Sequence, residues 1–143
     1  MKSLIIAVLL TLTPVLVHAE QFVDAGDYRI HYAAINSTEL TPQIARQFSV
    51  DRSRNQILLV FNAQHRVEGQ YQSVPATAKA FATTLLGHRQ TLTLRPIREA
   101  DVHYVVANFE TLDGEFMTIS AEVTPQGARA PVEVKFKQQF YRD

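Results

Sequence analysis

The sequence has no cysteine and no tryptophan, only two methionines, and no apolar run long enough to cross a bilayer as a helix. Each absence removes something. Without thiols there is no cysteine nucleophile, no cysteine-bound zinc and no disulfide framework. Nor can a lipid be anchored through a cysteine near the N-terminus. The Cys–Trp–Cys core of antibody domains is also missing. Charge of one sign is lacking too, with 14 Lys and Arg against 14 Asp and Glu. A chain so balanced has no electrostatic footprint for nucleic acid and no polybasic surface for anionic lipid. No Pro, Gly or Ser-rich linker, repeat or low-complexity tract divides it.

What is present starts at the N-terminus. Lys2 supplies a positive charge, and residues 4–16 are apolar apart from Thr11, Thr13 and Pro14. Val17 and Ala19 then place small side chains where signal peptidase reads, ahead of Glu20. A run of about 13 residues suits a secretory signal and is too short to span roughly 30 Å of hydrocarbon. Residues 1–19 are therefore expected to be a cleaved signal peptide, and 20–143 a single domain exported to the periplasm. Cleavage removes one charged side chain, Lys2, and leaves 13 basic against 14 acidic, a net −1. No transmembrane segment follows the cleavage site, so the processed protein is expected to be soluble.

The remaining chain reads as strands. Residues 27–36 place Tyr28, Ile30, Tyr32 and Ala34 on one parity, and 56–64 are apolar on both, as in a strand covered on both faces. Between them, Thr41-Pro42 has the form of an N-cap followed by proline at the first helical position, opening a short helix through Phe48. Residues 74–85 alternate alanine with Thr77, Lys79, Phe81 and Thr83. Alanine favours helix, but two-residue alternation after Val74-Pro75 favours strand. Residues 90–97 contain Pro96, which belongs on a sheet edge or at a bulge. Residues 102–111 and 115–123 flank the turn Asp113-Gly114, and 132–140 close the chain with Val132, Val134, Phe136 and Phe140 inward. About seven short strands with one helix describe an all-β, antiparallel, immunoglobulin-like sandwich. A transmembrane barrel is disfavoured by Lys79, Lys135 and Lys137 on the outer parity, since a mid-membrane lysine costs about 2–4 kcal/mol.

Several stretches resemble one family across the whole mature chain. They are GDYRIHYAAINST at 26–38, LTPQI at 40–44, SVPA at 73–76, IREAD at 97–101 and QFYRD at 139–143. The family is an uncharacterised one, a domain of unknown function found in small exported proteins of Gram-negative bacteria. The resemblance implies a periplasmic β-sandwich-like domain and brings no catalytic residue.

Chemistry is sparse. His31, His65, His88 and His103 sit on or beside four different strands, and no two share an i,i+2 or i,i+4 spacing. A metal site needs three or four converging ligands. If one exists, His31, His65 and His103 are its members, and Met117, the single methionine after the signal, argues against a thioether copper carrier. No serine stands in G-x-S-x-G or S-x-x-K, and Ser53 among Arg52, Arg54 and Asn55 has no local base. Arg98, Glu99 and Asp101 read as a solvated turn. No cofactor is expected.

A binding signal is carried by Phe81, which stands on a polar parity, and by Tyr104 and Val106 on one parity of their strand. Together they would form an apolar patch for a partner unless the helix at 42–48 covers them. The leading expectation is a non-catalytic module that binds a protein or an envelope component, with a small-ligand or metal-handling protein as the alternative. Mass spectrometry of the protein from expressing cells should find a mature form beginning at Glu20. Full-length protein held in the cytoplasm would contradict the signal-peptide reading.

Overall fold

The computed structural model describes residues 21–141, and the expected signal segment, residues 1–19, lies outside the described residues. The strand that organises the rest is β3 (Gln56–Val67). Its alternate side chains point to opposite faces. Ile57, Leu59, Phe61 and Ala63 enter the main core, while Leu58 and Val60 enter a second apolar layer behind the sheet. β3 pairs with β2 (Tyr28–Asn36) on one side, and β2 with the short edge strand β1 (Phe22–Ala25). On the other side β3 pairs with both β4 (Gln70–Ser73) and β8 (Val102–Glu110). β7 (Arg95–Glu99) closes that edge against β8, completing a six-stranded sheet.

The second sheet has the order β10-β9-β5-β6, built from β5 (Ala76–Thr84), β6 (Arg89–Leu92), β9 (Glu115–Pro125) and β10 (Val132–Phe140). Every pairing in both sheets is antiparallel. The two sheets form a sandwich, as the alternation expected, and residues 76–84 are strand. Ala76, Ala78, Ala80 and Ala82 line the core side of β5. They are small, so much of the volume comes from Phe61 and Ile30 in the facing sheet and from Phe109 packed edge-on against Phe140, their ring centroids 5.6 Å apart.

Ten strands are present among the described residues, where about seven were expected. β1 and β4 have four residues each, too few to display a period. The stretch at 90–97 is two strands in different sheets. Leu92 is buried in the core and Leu94 packs against it, so the chain passes between the sheets there. Pro96, with no N–H to give a ladder, lies on β7 at the sheet edge. The SVPA stretch makes a similar crossing. Ser73 Oγ donates to Asn62 Oδ1 at 3.1 Å and accepts from the His103 N–H at 2.9 Å, ending β4 where Val74 and Pro75 lead into β5.

The back of the six-stranded sheet is covered. Helix α1 (Pro42–Gln47) is capped by Thr41, whose Oγ1 accepts from the Ile44 N–H at 3.2 Å. It carries Ala45 and, with the flanking Leu40, Phe48 and Val50, seals Leu58 and Val106. Two polar clamps hold this cover. Ser37 Oγ donates to Ser53 O at 2.7 Å and accepts from Ser53 N–H at 2.9 Å. Arg95 Nη2 reaches from β7 to Phe48 O at 2.6 Å and Asn108 Oδ1 at 3.0 Å.

The last strand gives a graded test of packing. Phe140 is fully buried, whereas Phe136 is half-buried and stacks on Tyr32 at 4.7 Å. Phe140→Ala should cost about 3–5 kcal/mol, and Phe136→Ala roughly half as much, in urea unfolding. Equal costs would contradict this account of the strand.

Candidate functional site

The expected patch of Phe81, Tyr104 and Val106 does not form. Phe81 points outward from β5 in the four-stranded sheet, while Tyr104 and Val106 point outward from β8 in the other, so they lie on opposite sides of the sandwich. Val106 is 0% exposed. Tyr104 is half-buried and meets Phe48 edge-on, ring centroids 5.4 Å apart. The cover formed around α1 is the reason. Its apolar residues need a surface to bury against, and the outer parity of β8 supplies it.

Phe81 keeps an outward position. The guanidinium of Arg89 lies 3.9 Å from its ring centroid, and Lys79 and Thr83 flank it on the same strand. Across the sheet, Ser120 stands opposite Phe81 and Glu122 opposite Lys79. Phe81, Lys79, Ser120 and Glu122 border, with Glu133 and Lys135, an open concavity of about 640 Å³. It offers an aromatic wall and charges of both signs.

The histidines are separated. His31 is on the outer parity of β2, and its Nε2–H donates to Gln64 Oε1 at 2.8 Å. His65 lies beyond Ala63 on the core-facing parity and stacks on Tyr28 at 4.6 Å. His103 is on β8, where its backbone N–H binds Ser73, and its side chain borders a small cavity with Pro75 and Pro96. His88 is in the turn between β5 and β6. Among the described residues, no group of three or more His, Asp or Glu side chains is placed to hold a metal ion. Ser53 Oγ is hydrogen-bonded to Asn55 Oδ1, and its backbone anchors Ser37. Glu99 ends β7 and Asp101 lies in the turn to β8, both exposed.

A tightly organised cluster was not read from the sequence. On the outer face near β1, the Arg29 guanidinium lies 4.2 Å from the Phe22 ring centroid and 4.3 Å from that of Tyr71. It binds Asp24 through two bonds, at 2.6 and 3.0 Å. The hydrogen bond and charge of Arg29 hold the Asp24 carboxyl below its ordinary range. A depressed carboxyl stabilises the fold above its unfolded value, and that contribution fades as acid takes the solution through the lower, folded value.

The other missed feature is apolar. Leu86 is 87% exposed, Leu85 68% and Leu112 61%, the most exposed large apolar side chains among the described residues. All three are at one end of the sandwich. Leu85 and Leu86 occupy the turn between β5 and β6, and Leu112 the crossing between β8 and β9. The ends of these strands meet there, with Thr84 opposite Met117. With Phe116 the leucines border a groove of about 410 Å³.

A family model described as a domain of unknown function, DUF4426, matches residues 22–143. The chain belongs to this family. The DUF4426 protein PA0388 of Pseudomonas aeruginosa PAO1 has a similar crystal structure. Its TM-score is 0.74 at 25% identity, over 87% of this chain and 96% of that one. Two structures of FetP from uropathogenic Escherichia coli strain F11 are also similar. A copper-bound variant gives a TM-score of 0.61 at 14% identity, covering 87% of this chain and 97% of FetP. The protein as isolated after periplasmic expression gives 0.62 at 13%, covering 87% and 95%. These two show a shared fold. No curated protein matches the chain in sequence.

For this DUF4426 domain the separated histidines have a measurable consequence. Equilibrium dialysis should find no stoichiometric zinc or copper bound at micromolar free metal. One equivalent retained, and lost in His31→Ala or His103→Ala, would overturn that placement.

Proposed function

We propose that this chain is a non-catalytic periplasmic binding module that docks on an envelope component through its leucine end. The observation that carries the reading is the gathering of Leu85, Leu86 and Leu112 around one groove with Phe116. Exposed leucines scattered singly need no explanation, but a contiguous set at one end marks an interaction surface. Folding does not require them, because the core is complete without them. The signal peptide read at residues 1–19 supports an envelope location, and no helix among the described residues is long and apolar enough to cross a membrane.

A small-ligand reading is favoured by the concavity beside Phe81, whose volume falls within the ~300–1,000 Å³ common for ligand sites. It is open and its aromatic ring is already faced by Arg89, so it ranks second. The metal-handling reading draws on the fold shared with copper-bound FetP and lacks converging ligands among the described residues.

A photo-crosslinking amino acid at position 86, activated in intact cells, should give a discrete adduct. The same group at Val67, on the opposite end of β3, should give none. Adducts equally from both positions, or from neither, would sink the docking reading. Leu85→Ser with Leu86→Ser should abolish docking and leave the melting temperature within about 2 °C of wild type, as exposed positions do.

A further inference from the structure

We infer that the leucine end inserts into the headgroup–acyl boundary of a phospholipid leaflet. This rests on the docking reading above and names its partner. Three features of the end favour lipid over protein. First, the most exposed leucines project from a turn and a crossing loop, not from a flat sheet face. Such tips can enter a leaflet while the strands, whose backbone groups are paired in their ladders, stay outside it.

Second, the area is too small for a stable pair of proteins. Leu85, Leu86, Leu112 and Phe116 offer on the order of a few hundred Å², against ~800 Å² per partner in a standard interface. A second copy seated on this end would fall short by the same margin. Insertion of a few apolar side chains is enough for reversible attachment to a bilayer.

Third, the rim has the composition of a membrane interface. Tyr141, also exposed, is at this end, its hydroxyl donating to Gln139 Oε1 at 2.6 Å while Gln139 Nε2 holds Gly114 O at 2.9 Å. Lys137 Nζ lies 5.1 Å from the Phe116 ring centroid, and Arg89 begins β6 directly after the leucine turn. Amphipathic aromatics and flanking cations are the groups that anchor proteins at headgroup level. The balanced charge of the whole chain gives no polybasic surface. The rim is balanced as well, because two cations stand against two carboxylates and the Arg89 guanidinium lies over Phe81. Asp113 and Glu115 share this end, and Glu115 Oε1 accepts from Thr111 Oγ1 at 3.4 Å. Attachment should therefore depend on the leucines and little on lipid charge.

The sequence has no tryptophan, so one introduced at the tip reports alone. The protein, purified as processed by the expressing cell, is mixed with vesicles of phosphatidylethanolamine and phosphatidylglycerol, or of phosphatidylcholine. Leu86→Trp should shift its emission to the blue and lose accessibility to acrylamide on both vesicles, to a similar extent. Val67→Trp should not respond. Leu85→Ser with Leu86→Ser should weaken co-sedimentation at least about tenfold, since burying a leucine contributes ~1.5–3 kcal/mol and ~1.4 kcal/mol is tenfold. An unshifted Leu86→Trp spectrum, or sedimentation unchanged in the serine variant, overturns the lipid inference. In that event a protein adduct from position 86 in cells leaves the docking reading standing, and the absence of any adduct removes both.

Discussion

The architecture depends on one strand being buried on both faces. β3 sends Ile57, Leu59, Phe61 and Ala63 into the space between the sheets and Leu58 and Val60 to the other side. A period of two leaves no other arrangement, because a one-residue slip would exchange the two sets. The second set creates a requirement that a two-layer sandwich cannot meet. Leu58 and Val106 must be taken out of water, and the chain does so with the segment between β2 and β3. That segment is both the connection and the third layer.

The cover explains why some polar groups sit where they do. A short helix and irregular flanks have backbone groups to satisfy, and burying them unpaired costs about 1–3 kcal/mol each. Arg95 meets part of that need from β7, and Ser37 with Ser53 meets another. Ser49, at φ 55, turns the chain off the helix into the clamp that Arg95 makes on Phe48 O. Ser53 and Arg95 look like surface polar residues in the sequence, yet they fasten a layer. The apolar periodicity locates the layers. It does not locate the bonds that hold them.

Much of the sandwich was legible for that reason. Alternation in β5, β9 and β10, the Thr41-Pro42 helix start and the edge position of Pro96 all follow from local rules and appear in place. What local rules cannot supply is which sheet a strand joins. Residues 90–97 look continuous, but Leu92 and Leu94 are both drawn to the core and the strand divides around them. The same limit undid the patch of Phe81, Tyr104 and Val106. Each does face away from the main core, but parity within a strand does not say on which side of the molecule that strand's outer face lies. The family resemblance, borne out over residues 22–143, supplied the fold without supplying a site.

The leucine end was illegible for a different reason. Leu85 and Leu86 follow nine residues of strand and look like its continuation, so hydrophobicity alone assigns them to the interior. They are outside because β5 stops at Thr84, where the His88 N–H binds Thr84 Oγ1 and the Thr84 N–H binds His88 O. Gly87, at φ 87, lets the chain reverse in that short space. A turn fixed this tightly would accept polar residues at its two leading positions at no cost to the core, and water would favour them there. Two leucines at that point, with Leu112 on the neighbouring crossing, oppose the tendency that buries most large apolar groups among the described residues. Stability does not account for them, which is the ground for the docking proposed at this end.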